Sequence, residues 1–273
     1  MHPLPPNTTG STRAALQQLC CGPFAGRSAE FVERLFDEVA VLFAGRRRGF
    51  QACAMPYHNF AHTCDVTVAL TRLLGAYVAR QREPVLSGRD GELAVSAALL
   101  HDSGFLRRDD EPAGSGAELA GVHVERGVVV AAELLPEFGV SPAELEVVQL
   151  AIRCTALEAG AGLLESASEK ERCLAQLVGT ADLLGQLAAP DYPDRLTDLY
   201  RELVVSGGTG GLDETGFRRQ TRQFWNDVAL PRLDGMLGGM YRLLSEGVAD
   251  AESDYLRAIY DNLDAVEKRW VAR

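Results

Sequence analysis

The amino-acid sequence predicts an all-α protein, organised as one compact multi-helix domain. Apolar residues recur at three- and four-residue spacing in several separate segments, while alternating runs of strand length are scarce. Hydrophobic residues make up 47% of the 273 residues, which is too high a fraction for intrinsic disorder. No apolar run approaches the roughly 20 residues that a membrane-spanning helix needs, so we expect no membrane insertion.

The helices follow from this spacing in chain order, and loops rich in Gly, Pro, Ser and Asp separate them. Helical patterns occupy residues 31–43, 66–77, 97–100, 128–135, 145–152 and 174–187. The predicted breaks are residues 83–91, 107–121, 159–168 and 205–214. No internal repeat and no clear linker is present. The sequence therefore predicts a disordered tail over residues 1–12 and a single domain of about nine helices over residues 13–273.

Net charge and cysteine content indicate which binding partners and which cellular compartment to expect. The net charge is −11, with 38 acidic against 27 basic residues and no basic stripe, so we expect no general nucleic-acid binding. Six cysteines occur without a CxxC pair, and Met1–Thr12 is polar rather than signal-like. These features predict a cytoplasmic protein with reduced thiols. The oligomeric state stays open, a homodimer being one alternative.

Four of the five histidines lie between residues 58 and 123, in settings that suggest chemistry. His58 and His62 belong to the string PYHNFAHTCDV, and they would share one helical face if the helix began that early. An apolar helix then ends in His101 and Asp102, and Asp182 interrupts the apolar segment LAQLVGTADLLGQL.

Burial of a lone carboxylate is costly, so such groups are usually paired or bound to a metal. Three helices that each bring a His or an Asp to an apolar side therefore suggest one shared divalent cation. A mixed set of imidazole nitrogen and carboxylate oxygen suits several metals, and we expect one or two ions of Mn, Mg, Fe, Zn, Co or Ni. Taken singly, a histidine on a helix is more often a core or surface residue than a ligand, and a single Asp is more often a helix cap or an ion-pair partner.

The ordered combination is more specific than its parts: HNxxHxxD, then HD 39 residues later, then a helical Asp 80 residues beyond. It resembles the HD superfamily of metal-dependent phosphohydrolases, and the string YHNFAHTCDV resembles the first motif of class I cyclic nucleotide phosphodiesterases. The resemblance covers roughly residues 30–245. It implies that His62, His101, Asp102 and Asp182 bind the first metal. It also implies a catalytic role for Asp102 as the bridge to a second metal, and for His58 as the general acid.

The same resemblance makes His123 a candidate ligand of the second metal, with a structural role as the alternative. Candidate substrate contacts are Asn59, Arg126, Gln220, Gln223 and Phe224. Ser103–Phe105 stands where the phosphodiesterases carry a further histidine. The implied function is hydrolysis of a small-molecule phosphoester, in particular a cyclic nucleotide diester, by metal-activated hydroxide. The alternatives are a nucleotide phosphomonoesterase, a di-iron oxygenase and a non-catalytic metal-binding module.

Overall fold

The computed structural model describes residues 7–22, 24, 28–245 and 254–271, and these residues are predominantly helical. No β-strand occurs within these ranges; the only strand-like pairing there is an isolated antiparallel bridge between Phe50 and Arg108. The prediction of an all-α protein is thereby confirmed. The α-helices are α1 (Thr9–Cys21), α2 (Ser28–Phe43), α3 (Phe60–Ala79), α4 (Gly88–Leu100), α5 (His123–Leu134), α6 (Pro142–Arg153), α7 (Glu169–Leu187), α8 (Tyr192–Ser206), α9 (Glu214–Arg219), α10 (Thr221–Phe224), α11 (Leu230–Asp234) and α12 (Asp254–Val266).

Short helical turns connect these elements. Five are 3-10 turns, at Ser103–Phe105, Ala117–Leu119, Leu135–Phe138, Ala161–Leu164 and Met240–Leu244. Two have π-helical hydrogen bonding, at Trp225–Ala229 and Glu267–Val271. The described part of the chain therefore contains more helices than the nine that the sequence predicts, because several short turns have too few residues to show a period.

Side-chain caps set where the helices begin. A reciprocal capping box starts α4 at Ser87 and Asp90, so the helix begins within the loop predicted over residues 83–91. A similar box between Thr8 and Ser11 starts α1. Thr9–Thr12 are consequently helical rather than part of a disordered tail, while residues 1–6 lie outside the described residues.

Helix α3 lies at the centre of the fold and packs against α1, α4 and α7. Its contact with α7 depends on Gly185, since a Cβ at this position would lie 2.8 Å from the backbone N and Cα of Val66. Gly185 follows Asp182 by one helical turn, and Val66 follows His62 by one turn. The close approach of the two backbones therefore brings these two predicted ligands together.

A second close approach seats α5 on the turn that follows α4. A Cβ at Gly104 would collide with the carbonyl oxygen of His123, and a Cβ at Gly127 would lie 3.0 Å from the carbonyl oxygen of His101. Only glycine fits at Gly104 without displacing α5. The N-terminus of α5 is thus fixed beside the HD pair.

The structure also bears on membrane insertion and on the state of the cysteines. No helix among the described residues combines the length and the apolar character that crossing a membrane requires. All six cysteines are free thiols, and four of them are buried.

Candidate metal centre

Two imidazoles and two carboxylates from three helices meet at one point. The Nε2 atom of His62, on α3, lies 3.5 Å from Asp102 Oδ2 and 3.3 Å from Asp182 Oδ1. The Nε2 atom of His101, at the end of α4, lies 3.2 Å and 3.5 Å from the same two oxygens. The side chains of His62, His101 and Asp102 are at most 4% exposed, and that of Asp182, on α7, is 18% exposed. Three of the four side chains are therefore nearly inaccessible to solvent, and Asp182 is the most exposed of the four.

The buried atoms of this cluster lack partners. Among the described residues, His101 Nε2 and Asp102 Oδ2 have no hydrogen-bond partner, although they are close neighbours. The Nδ1 atom of His62 is unpartnered as well. Buried polar atoms are nearly always satisfied in folded proteins. Ligand atoms of His62, His101 and Asp102 also lie within 4.8 Å of one another, so the residues fit a divalent cation.

The tautomer of His101 also suits a metal ligand. Its Nδ1 atom lies 2.8 Å from the carbonyl oxygen of Ala98, and a carbonyl only accepts hydrogen bonds, so Nδ1 carries the hydrogen. The lone pair of the neutral ring is then on Nε2, which faces the two carboxylates. A second hydrogen bond of this kind commonly orients histidine ligands in metal sites.

The electrostatics of the cluster show what a cation would replace. Burial lowers the pKa of His101, but the charge and proximity of Asp102, with that of Asp182, raise it to about 9. Burial raises the pKa of Asp102, yet the neighbouring histidines hold it well below its usual range. In the absence of a metal, a proton on His101 offsets the carboxylate charge. A divalent cation would displace that proton, as is general for metal binding to histidine.

His58 lies beside this cluster and is held by a residue that the sequence did not point to. Its Nδ1 atom lies 2.5 Å from Glu202 Oε2, and the backbone N–H groups of Tyr57 and His58 donate to Glu202 Oε1. Because the carboxylate only accepts, Nδ1 carries a hydrogen and Nε2 is the nitrogen left for chemistry. Burial lowers the pKa of His58, but the hydrogen bond to Glu202 and the charges of Asp102, Glu202 and Asp182 give a net upward shift.

Glu202 is 144 positions from His58, and a single acidic residue in an amphipathic helix carries little signal. The available hint is spacing: Arg195, Leu199 and Glu202 share one face of α8. Arg195 donates to the carbonyl oxygen of Tyr57 at 2.9 Å and pairs with Asp65 at 3.1 Å. One face of α8 thus fixes the segment that carries His58.

The expectation that His58 and His62 share a helical face fails, because α3 begins only at Phe60. The side-chain oxygen of Asn59 caps this helix by accepting from the N–H groups of Ala61 and His62, at 2.9 Å and 3.4 Å. Its amide nitrogen donates to the carbonyl oxygen of Pro56 at 2.8 Å. The structure therefore uses Asn59, a candidate substrate contact, to orient the segment before His62.

The remaining predicted contacts lie as follows. His123 stands outside the group formed by His62, His101 and Asp102; its Nδ1 donates to the carbonyl oxygen of Ala120 at 2.6 Å. Arg126 uses its guanidinium on Glu111 and on two backbone carbonyls. Gln220 and Gln223 are exposed, and Phe224 packs against the core.

Neither a scan against protein-family models nor a search of curated proteins gave a match for this chain. The function therefore has to be argued from the site itself.

Proposed function

We propose that this protein is a metal-dependent phosphohydrolase of the HD type that cleaves a phosphodiester, in particular the cyclic diester of a nucleotide. The observation that carries the proposal is the meeting of His62, His101, Asp102 and Asp182 around partnerless buried atoms, with His58 beside them. The order of these residues along the chain is the order that the HD resemblance implies.

The four residues would hold the cation, and Asp102 offers the oxygens that a second ion would share. When bound, a divalent cation supplies two things that phosphodiester hydrolysis needs: neutralisation of the phosphoryl charge and water of lowered pKa. Because Asp182 is the most exposed of the four, a phosphoester would approach the cluster from its side.

His58 would donate its proton to the leaving oxygen. An alkoxide is a poor leaving group, and a positioned general acid accelerates its departure by about 100- to 10,000-fold. Glu202 keeps the hydrogen on Nδ1, orients the ring and favours its protonated form, so that Nε2–H is available as the donor. His58 can therefore act without leaving its place beside the cluster.

The arginines around the site support a diester rather than a monoester. Arg107 pairs with Glu118, Arg126 with Glu111 and Arg195 with Asp65. Arg232 donates to four backbone carbonyls between residues 154 and 159. Burial lowers the pKa of Arg232, and the nearby charge of Asp182 opposes this shift. These four guanidiniums are therefore largely engaged within the protein, although Arg107 Nε has no hydrogen-bond partner in the described part of the chain. A diester carries a single negative charge and needs less neutralisation from them than a dianionic phosphomonoester.

A substrate panel tests the proposal. The purified protein is assayed with Mn²⁺, Mg²⁺, Fe²⁺ and Zn²⁺ on 3′,5′-cyclic AMP and GMP, nucleoside monophosphates and bis(4-nitrophenyl) phosphate. We expect metal-dependent turnover of the diesters, lost in Asp102→Asn and retained in Glu92→Gln, which neutralises a buried carboxylate outside the site. Turnover of the monophosphates alone would make the protein a monoesterase, and no hydrolysis with any metal would contradict the proposal.

The free thiols support a reducing compartment, where disulfides seldom form. We accordingly assign the protein to the cytoplasm, where cyclic nucleotides would be its small-molecule substrates.

A further inference from the structure

The ring of Phe105 lies between the imidazoles of His58 and His123. Its centroid is 4.9 Å from that of His58, with 23° between the ring planes. On the other face, the centroid of His123 is 4.2 Å away and the planes are 12° apart. Phe105 is itself only 4% exposed, so it offers no face to a substrate. Its two faces serve the two histidines.

Each imidazole is fixed at one atom by a hydrogen bond. The Nδ1 atom of His58 donates to Glu202, and that of His123 donates to the carbonyl oxygen of Ala120. One hydrogen bond fixes the position of Nδ1 but lets the ring rock about that contact. A flat ring packed against the imidazole face removes this remaining freedom. The ring of Tyr57 also meets His58, edge-on with the centroids 4.9 Å apart, so Phe105 is the ring stacked on the His58 face. The direction of the His123 Nε2 atom therefore depends on Phe105, and that of the His58 Nε2 atom depends on Phe105 together with Tyr57.

The position of Phe105 is itself fixed, through the backbone on both sides of it and through the packing of its side chain. The guanidinium of Arg126 donates to the carbonyl oxygens on both sides of it, those of Gly104 at 2.9 Å and Leu106 at 3.0 Å. The Phe105 side chain packs with Met55 in a small apolar cluster apart from the main core. Arg126, a candidate substrate contact from the sequence, thus fixes the backbone of Phe105.

We propose that Phe105 is a positioning residue that sets the ring planes of His58 and His123, and through His58 the delivery of the proton to the leaving oxygen. The catalytic half of this inference rests on the proposed phosphohydrolase function. The geometric half does not, because the stacking can be measured in the protein without a substrate.

Proton NMR of the histidine rings tests the geometry. Protons above an aromatic face are shifted upfield, so two imidazoles of the wild type should show upfield ring protons, assigned with His58→Gln and His123→Gln. Phe105→Leu should remove the shift of His123 and reduce that of His58, which also contacts Tyr57. Phe105→Tyr, which keeps a flat ring, should retain both shifts. Phe105→Met serves if the leucine variant does not fold. Phe43→Leu is the matched control, since Phe43 is also 4% exposed and packs against another ring.

Kinetics then test the consequence. With a cyclic nucleotide, whose leaving group is an alkoxide, we expect Phe105→Leu to lower kcat by about 10- to 100-fold with little change in KM. With bis(4-nitrophenyl) phosphate, whose leaving group needs little protonation, kcat should hardly change, and Phe105→Tyr should restore the cyclic-nucleotide rate.

The outcomes separate the two halves. Unchanged histidine shifts in Phe105→Leu, or equal changes in Phe43→Leu, would overturn the positioning role. An equal loss of kcat on both substrates would also overturn it, since a structural defect has no preference for a leaving group. If the wild type hydrolyses neither substrate, the proposed function fails while the NMR result still decides whether Phe105 positions the two rings.

Discussion

Two clusters of acidic side chains, most of them buried, lie at opposite ends of α4, and their charges are offset in different ways. At the N-terminal end, Arg89 pairs with Glu144 through Nε and with Glu92 through Nη1, at 2.7 Å and 2.6 Å. Lys170 reaches Asp90 at 3.1 Å. We refer to these five residues as the Arg89 cluster. The cations that pair with the carboxylates of this cluster are therefore side chains of the protein itself, those of Arg89 and Lys170.

At the candidate metal centre, at the C-terminal end of α4, no arginine or lysine among the described residues pairs with the two carboxylates. Among the described residues, the partners of Asp102 and Asp182 there are the imidazoles of His62 and His101, and buried atoms stay without hydrogen bonds. Buried polar atoms without hydrogen bonds are rare in folded proteins, so a fold retains them only where something else compensates. We infer from this difference that the Arg89 cluster stabilises the fold, whereas the candidate metal centre would be completed by an ion from solution.

We expect the largest effect on metal binding and activity from loss of the Asp102 carboxylate, whose Oδ2 atom faces the imidazoles of both His62 and His101. Asp102→Asn should weaken binding of the first metal by more than the roughly 10- to 100-fold that loss of an outer hydrogen-bond partner costs. Hydrolysis should then fall below detection. Elemental analysis after dialysis, with Glu92→Gln as the control, checks this. If Asp102→Asn kept its full metal content, Asp102 would not be a metal ligand, and the proposed difference between the two clusters would be wrong.

The next effect separates metal binding from proton donation. His58→Ala should keep the metal content of the wild type, because His58 is not among the four converging ligands. It should lower kcat on a cyclic nucleotide by about 100- to 10,000-fold. Metal analysis and steady-state kinetics on the same preparation measure both. If the metal is lost from this variant too, the division of roles is wrong.

A smaller effect is expected for Glu202→Gln. The amide can still accept from the backbone N–H of Tyr57, but it no longer carries the charge that favours protonated His58. We expect unchanged metal content and a loss of kcat smaller than in His58→Ala. A variant as slow as His58→Ala would mean that Glu202 itself takes part in the reaction.

The smallest effect belongs to the Arg89 cluster. The hydrogen bond to Arg89 outweighs burial and lowers the pKa of Glu144 to about 2. Glu144→Gln should cost about 1–2 kcal/mol of unfolding free energy at pH 7, with metal binding unchanged. Because the folded-state pKa is depressed, this stabilisation is complete above about pH 4.5 and is lost as the pH falls towards 2.

Urea unfolding of the wild type and Glu144→Gln at several pH values measures this dependence. The difference between the two proteins should shrink as the pH falls through that range. A difference that stays constant down to pH 3 would show that Glu144 acts through packing rather than through its charge.

The sequence predicts the helical framework well, because α2 and α6 each bury one apolar stripe. Helices α3 and α7 are buried on nearly all faces, but their large apolar residues recur at the same helical spacing. The order of the candidate ligands is also visible, since each one interrupts or ends such a stripe. Their meeting in space is not visible locally. It depends on the close packing of α3 and α7 at Gly185, which no periodicity reveals.

The sequence does not predict most of the residues that orient the candidate ligands and His58. Asn59 shifts the start of α3, so His58 lies before the helix and not on it. Glu202 reaches His58 across 144 positions, and Phe105 follows the HD pair as an ordinary apolar residue. Long-range contacts of this kind depend on tertiary packing, which a single sequence does not encode in any local pattern.

A crystal of the protein grown with Mn²⁺ and measured for anomalous scattering tests the central claim most directly. We predict an anomalous peak about 2.0–2.3 Å from His62 Nε2, His101 Nε2, Asp102 Oδ2 and Asp182 Oδ1, whether or not a second ion is bound beside it. This peak should disappear in Asp102→Asn. A wild-type crystal without density at that point, or with the ion bound only elsewhere, would contradict the claim.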